Sequence, residues 1–207
     1  MGGIIPRKNA KGKWNIEKNP EELYWENDPF KILDENNYKE ELLKAHLICG
    51  LIKPAVETGI DIGCGEGYWT NIYSKKIKRM WGIDISHIAI GRAINMFAYK
   101  YSGNENYLQF LQGDITKGIP INICCHCVIM SEVLYYIKPS SWEIVSKNIR
   151  DMLPTGGQFI ISCGQFFSEK DIREIFDWCE FEKTFKLPSK RYEYNLIMSG
   201  VKKRHSK

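Results

Sequence analysis

The residues best suited to chemistry fall into four short groups: Asp61-Ile62-Gly63-Cys64-Gly65-Glu66-Gly67, Asp84-Ile85, Gly113-Asp114-Ile115, and Ser131-Glu132-Val133-Leu134-Tyr135-Tyr136. A glycine-rich turn that opens a helix lets a ligand approach bare backbone and the N-terminal amides. Asp84, 23 residues after Asp61, adds a carboxylate able to accept two hydrogen bonds from ribose hydroxyls. Together the turn and Asp84 imply a nucleoside-containing ligand. A dinucleotide would need G-x-G-x-x-G around its pyrophosphate. Here the third glycine comes one residue early and Tyr68 stands in its place. Asp61, two residues before the turn, would repel a pyrophosphate but suits a ligand carrying an ammonium group. Asp114 stands where an adenine exocyclic amine can be reached.

These groups act together only if one architecture brings them together. Val56 to Ile62 reads as a strand, as do Met80 to Ile85, Tyr107 to Leu111, the apolar run Ile121 to Met130, and Phe159 to Cys163. Helical patterns alternate with them. The first runs from Tyr38 to Ile52, with Leu43, Leu47 and Leu51 at i, i+4, i+8, and stops at Pro54. The second follows the glycine turn with Trp69, Ile72 and Tyr73 on one side, and the third, capped by Ser86, carries Ile90, Ile94, Phe97 and Tyr101. A fourth opens on the capping-box pattern Ser140-Ser141-Trp142-Glu143 and ends at Pro154 and Gly156-Gly157; a fifth lies near Lys170 to Cys179. Strand and helix in alternation predict an α/β, doubly wound, mostly parallel seven-stranded sheet with helices on both faces. Phe181, Lys183 and Phe185, then Tyr192, Tyr194, Leu196 and Met198, alternate with their neighbours, which predicts an antiparallel strand pair at the C-terminal edge. All four groups then fall at the carboxyl ends of strands, where such sheets hold their ligands.

A length of 207 residues corresponds to one domain with short extensions, and 43% hydrophobic with 26% charged residues is a globular balance. This excludes a wholly disordered chain, a collagen-like repeat and a disulfide miniprotein. No apolar run reaches the length of a membrane span, and Met1 to Lys13 lacks the apolar segment of a secretory signal, so a cytoplasmic protein is expected. The net charge of +4 is unevenly spread. Arg7, Lys8, Lys11, Lys13 and Lys18 crowd the start and Lys202, Lys203, Arg204 and Lys207 the end, which reads as solvated tails rather than a basic face for nucleic acid. The seven cysteines, an odd number, are expected to be reduced. The run Cys124-Cys125-His126-Cys127 invites a zinc reading, but a contiguous run on a strand throws alternate side chains to opposite faces. These residues are therefore read as small buried residues of a central strand, and no metal is expected.

The strings Asp-Ile-Gly-Cys-Gly-Glu-Gly, Gly-Ile-Asp-Ile-Ser and Gly-Asp-Ile resemble the class I S-adenosylmethionine-dependent methyltransferases over roughly residues 55–163. Asp28-Pro29-Phe30 with Ser131-Glu132-Val133-Leu134-Tyr135-Tyr136-Ile137 resembles, more narrowly, the nodulation protein S group, which methylates the amine of a de-N-acetylated chitooligosaccharide. This chain departs from that group in its basic arm, its cysteine-rich fourth strand and the Phe after Asp-Pro. The resemblance implies a Rossmann-like fold and S-adenosyl-L-methionine as cofactor. Asp61, Gly63, Gly65 and Gly67 would then cradle its methionine end, Asp84 hold the ribose, and Ile85 pack on adenine. Asp114 and Ile115 would face the adenine edge and Ser131 would present backbone near the sulfonium, with Cys64, Trp69 and Gly113 in the same cofactor-contacting set. Tyr24 or Trp25, in an N-terminal arm of residues 1–37, would close over the cofactor. Residues 38–200 would form the methyltransferase domain and 201–207 a basic tail.

On this reading Glu132 orients an acceptor amine or takes its proton, and Tyr135 and Tyr136 offer ring faces to a cation and hydroxyls to the acceptor. The expected reaction is methyl transfer to a small polar acceptor, an amine of a sugar or related metabolite, by a monomer or homodimer. A hydroxyl acceptor, RNA, and a non-catalytic cofactor-binding partner subunit stand as alternatives. RNA and DNA have less support, because the Asn/Asp-Pro-Pro-Tyr tetrapeptide of amino-methylating DNA enzymes is replaced by Ser131-Glu132.

Overall fold

The computed structural model describes the backbone of residues 7–8, 14–15 and 35–37, and residues 38–97, 107–190 and 193–204 in full. Two short strands, β1 (Arg7–Lys8) and β2 (Trp14–Asn15), pair antiparallel. The main body starts with α1 (Glu35–Leu51), followed by β3 (Val56–Ile62), α2 (Tyr68–Tyr73), β4 (Ile77–Asp84), α3 (His87–Phe97), β5 (Tyr107–Gln112) and β6 (Cys127–Ser131). Then come α4 (Trp142–Met152), β7 (Gln158–Gly164), α5 (Glu169–Ile175), β8 (Cys179–Pro188) and β9 (Tyr194–Lys202). The sheet order is β5-β4-β3-β6-β7-β9-β8. All neighbours are parallel except β9, which runs antiparallel to β7 and β8. The chain winds outward from β3 toward β5 and then from β6 toward β8, so the winding reverses between β3 and β6. That reversal opens the crevice in which such sheets bind ligands.

Period-two patterning decides which helix covers which face. Ile60, Ile62, Trp81, Ile83, Val128, Met130, Phe159 and Ile161 point to one side and pack with Val145 and Ile149 of α4 and Ile172 of α5. Met80, Cys127, Ile129, Ile160 and Ile197 point to the other and meet Ala45, Ile48, Leu51 and Ile52 around α1. Beside them, Ile90, Ala93 and Phe97 of α3 enclose Phe110 and Cys64. Burying this much apolar surface on both faces is the main stabilising term.

The structure corrects several local expectations. On α1 the buried side is Lys44, Ala45, Ile48 and Leu51, while Leu43 is 57% exposed. The fourth strand begins only at Cys127, opposite Gly59 of β3 and Gln158 of β7, where β7 itself begins; the preceding residues have β3 on one side, with the His126 amide donating to Thr58, but no strand on the other. Cys125 and Cys127 are buried, whereas Cys124 and His126 face outward. No capping box forms at Ser141, where a 3-10 turn over Pro139–Ser141 leads into α4. The capping box is instead at Ser168, whose hydroxyl accepts from the Asp171 amide at 3.2 Å while Asp171 accepts from the Ser168 amide at 2.7 Å. A register shift between Phe181 and Lys183 breaks the alternation of β8, leaving Phe185 exposed. Lys202, expected in a free tail, belongs to β9, and its ammonium donates to the carbonyls of Arg150 and Leu153 at the end of α4. Tyr101 lies outside the described residues. Among the described residues no helix is long and apolar enough to cross a membrane.

Candidate active site

The turn after β3 is shaped by its glycines. Gly63, Gly65 and Gly67 have φ of +72°, +54° and +79°, a region that L side chains enter only at a cost. A Cβ on Gly63 would lie 2.1 Å from Val133, and one on Gly67 would lie 2.5 Å from Phe110. The turn is tied down by Gly63 and Cys64 amides donating to the Ile83 carbonyl at 2.7 and 3.1 Å. The Arg92–Glu66 ion pair at 2.7 Å links it to α3. Gly67 then serves as the N-cap of α2.

Two carboxylates flank this turn. Asp61 is 3% exposed and accepts a 2.6 Å hydrogen bond from Thr70. Burial, opposed by the Thr70 hydroxyl and reinforced by Asp84, pushes its carboxyl up to about 7. Asp84 accepts from the Gly65 amide on one oxygen and the Ser86 amide on the other, both at 2.9 Å. Burial raises its carboxyl too, against these backbone hydrogen bonds. The Ile85 amide also bears on this carboxylate, and the acceptor capacity that remains faces the ligand crevice, where a ribose hydroxyl can donate to it. Ile85, beside it, is 47% exposed despite its large apolar side chain, as a surface for a flat ring requires.

Other expected residues are differently disposed. Asp114 folds back on its own turn, accepting from the amide and hydroxyl of Thr116 at 2.9 and 2.7 Å. Burial alone would raise its carboxyl, but Thr116 and Lys117 together hold it below the usual aspartate value. Ile115 is buried in the main core, and its carbonyl accepts from Asn148, so its side chain is not brought to the crevice. Trp69 is set against Tyr38 of α1, ring centroids 6.1 Å apart, rather than alongside Asp84. Cys64 is buried, and burial pushes its thiol well above the usual range. Gly113 donates its amide to the Asp84 carbonyl at 2.9 Å. Tyr24 and Trp25 lie outside the described residues.

At the end of β6, Ser131 shares a 3.0 Å hydroxyl contact with Ser162 of β7. Glu132 follows with φ +59°, a backbone conformation costing about 1–3 kcal/mol in a non-glycine residue. Its side chain explains the toleration. One carboxylate oxygen accepts from Ser162 Oγ at 2.8 Å and meets Lys44 Nζ at 3.3 Å; the other accepts from the Gly164 amide and the Tyr135 hydroxyl, both at 3.1 Å. Of the roughly four acceptor positions of a carboxylate, three receive hydrogen bonds, and the Lys44 ammonium adds an ion pair without a hydrogen bond of its own. The rings of Tyr135 and Tyr136 stand 4.6 Å apart beside this cluster. Lys44 and Ser162 were missed in the sequence. The only signal for Lys44 was a lysine three residues after Glu41 on a helix, a spacing that ordinarily marks a solvated pair.

The site can be tested against a nucleoside bearing an ammonium. Buried Asp61 forms no ion pair among the described residues, Asp84 has spare acceptor capacity, and bare backbone lines the turn between them. These donors and acceptors fit S-adenosylmethionine. A doubly wound sheet with acids at three successive strand ends is the donor-binding arrangement of class I S-adenosylmethionine-dependent methyltransferases. A family model described as a methyltransferase domain matches residues 34–164, and the chain belongs to that family, with S-adenosylmethionine as its cofactor. An uncharacterized methyltransferase of Schizosaccharomyces pombe is 27% identical over 117 residues, 55% of this chain. The match spans 42% of that relative's length. Among solved structures, N-methyltransferase NodS from Bradyrhizobium japonicum WM9, in complex with S-adenosyl-L-homocysteine, superposes with a TM-score of 0.75 at 21% identity, over 90% of this chain and 100% of that one. Magnesium protoporphyrin IX methyltransferase from Synechocystis PCC 6803, with bound S-adenosylmethionine, gives a TM-score of 0.67 at 18% identity over 81% and 82% of the two chains. At these identities the two structures establish the shared fold.

Proposed function

We propose that this chain transfers a methyl group from S-adenosylmethionine to the amine of a small polar acceptor, a sugar or related metabolite. Asp61 and the Gly63, Gly65 and Gly67 backbone hold the methionine end, Asp84 the ribose, and Ile85 and Asp114 the adenine. Bound there, S-adenosylmethionine supplies a methyl group made electrophilic by a positively charged sulfur. The acceptor nitrogen must arrive neutral and aligned, and alignment supplies much of the rate. As the N–CH3 bond forms and the S–CH3 bond breaks, its electron pair returning to sulfur, positive charge grows on nitrogen. The proton on that nitrogen is lost to water afterwards.

The observation that carries this reading is the Glu132 carboxylate, fixed at the end of β6 by three hydrogen bonds and the ion pair to Lys44. A fixed anion stabilises charge growing on an amine. A hydroxyl acceptor would need a base to take its proton, and the buried Lys44 ammonium beside Glu132 opposes protonation of that carboxylate. The likeness to a structure described as an N-methyltransferase favours the same acceptor type.

The test is incubation with methyl-labelled donor and separate pools of amino sugars, hydroxylated metabolites and RNA. Label is expected in the amino-sugar pool. Label confined to the hydroxylated pool or to RNA refutes the amine reading, and calorimetric donor binding with no transfer to any pool indicates a cofactor-binding subunit instead.

A further inference from the structure

Lys44 is the one buried lysine among the described residues, only 2% exposed. Its ammonium lies 2.7 Å from Glu41 and 3.3 Å from Glu132. Burying an ammonium costs several kcal/mol unless carboxylates and hydrogen bonds repay it. Glu41, three residues away on α1, would suffice for an ordinary exposed helix pair. The lysine instead spans two elements, joining α1 to the carboxyl end of β6. Its second partner is the carboxylate that also receives Ser162, Gly164 and Tyr135.

We infer that Lys44 is a positioning residue for methyl transfer: its buried ammonium locks the Glu132 carboxylate in place, and through it the Tyr135 hydroxyl, before the acceptor arrives. The inference rests on the amine-acceptor reading for its consequence in turnover, but the fixing of Glu132 by Lys44 can be measured separately. Without the ammonium, one Glu132 oxygen keeps only the Ser162 hydroxyl, and the half-buried Glu41 and Glu132 carboxylates lose the charge that lies between them. Glu132 is already in a disfavoured backbone conformation, so it has reason to turn outward toward water. The Gly164 amide, which donates to it at 3.1 Å, then loses its acceptor.

The experiment compares wild type with Lys44→Gln, Lys44→Arg and Glu132→Gln. The double variant Glu41→Gln/Lys44→Gln removes a carboxylate along with the ammonium and takes the place of Lys44→Gln if that variant does not fold. Three quantities are read: labelled-methyl transfer to glucosamine, S-adenosylhomocysteine binding by calorimetry, and the Gly164 amide resonance. Loss of Lys44 should lower kcat by about 10²-fold, the scale of a misplaced reacting geometry, with S-adenosylhomocysteine affinity kept. Arg should restore most of the rate, and the Gly164 resonance should move in Lys44→Gln as it does in Glu132→Gln. An unchanged kcat, or an unmoved Gly164 resonance, overturns the inference. If wild type transfers nothing to glucosamine or to any amino sugar, the functional reading fails. The Gly164 resonance then decides the positioning claim alone: unmoved refutes it, and moved upholds the locking of Glu132.

Discussion

Replacing Asp61 by Asn removes a charge that the folded chain accommodates poorly. Burial raises the Asp61 carboxyl from 3.8 to about 7, although Thr70 pulls in the opposite direction. The folded chain therefore holds this proton more tightly than the unfolded chain does. Below the unfolded value both states are protonated and nothing is lost. As pH rises, the unfolded state ionises first and the fold is progressively penalised, until above about 7 the penalty levels off at about 4 kcal/mol, by 1.4 kcal/mol per pH unit. Asn keeps an oxygen to accept from Thr70 but has no charge to bury. The cost of leaving an amide N–H unpaired is independent of pH, so the slope is the diagnostic quantity. Without donor, the stability of Asp61→Asn relative to wild type should rise by about 2 kcal/mol between pH 5.5 and pH 8, or roughly 4–8 °C in Tm for a chain of this size. Urea or thermal denaturation at the two pH values measures it. Titration with S-adenosylhomocysteine, which keeps the ammonium, should show weaker binding to the variant at pH 8. Parallel stability-pH curves for the two proteins would refute the buried, costly carboxylate.

Asp84→Ala should weaken S-adenosylhomocysteine binding by about 1.5–3 kcal/mol, the value of hydrogen bonds to a charged acceptor; calorimetry that finds unchanged affinity would remove Asp84 from ribose binding. Gly63→Ala places a methyl 2.1 Å from Val133 at φ +72°, and urea unfolding should show a loss of about 1–3 kcal/mol that Val133→Ala relieves in part. Ser168→Ala removes the capping-box hydroxyl and should cost about 1 kcal/mol of stability with donor affinity unchanged.

Local signals in this chain were legible where one segment decides its own structure. The strand Val56–Ile62 was read with its observed bounds, because Pro54 on one side and the glycine turn from Gly63 on the other delimit it. The strand-end acids were likewise visible, since residue type and spacing alone place Asp61, Asp84, Asp114 and Glu132 at the ends of β3 to β6. What depended on a distant partner was not legible. Leu43 was read as a core residue and Lys44 was not singled out, yet Leu43 is exposed and Lys44 buried, its ammonium meeting Glu132, 88 residues on. The run Ile121 to Met130 did not become strand throughout: β6 starts at Cys127, opposite the first residue of β7, a partner 31 residues further along the chain.

The two halves of the site treat charge in opposite ways. Around the glycine turn, Asp61 and Asp84 are buried with hydrogen bonds but, among the described residues, no ion pair, and burial raises both carboxyls. Around the end of β6, Glu132 is paired with an ammonium that is itself buried. An acid left short of positive charge gains from a ligand that brings it, so the donor half favours a cationic, hydroxyl-bearing molecule through the free energy of its own ionisation. An acid already paired gains less from a second cation, but it is held still. That difference suits a binding half that must grip its cofactor and a reacting half that must not move as charge passes from sulfur to the acceptor.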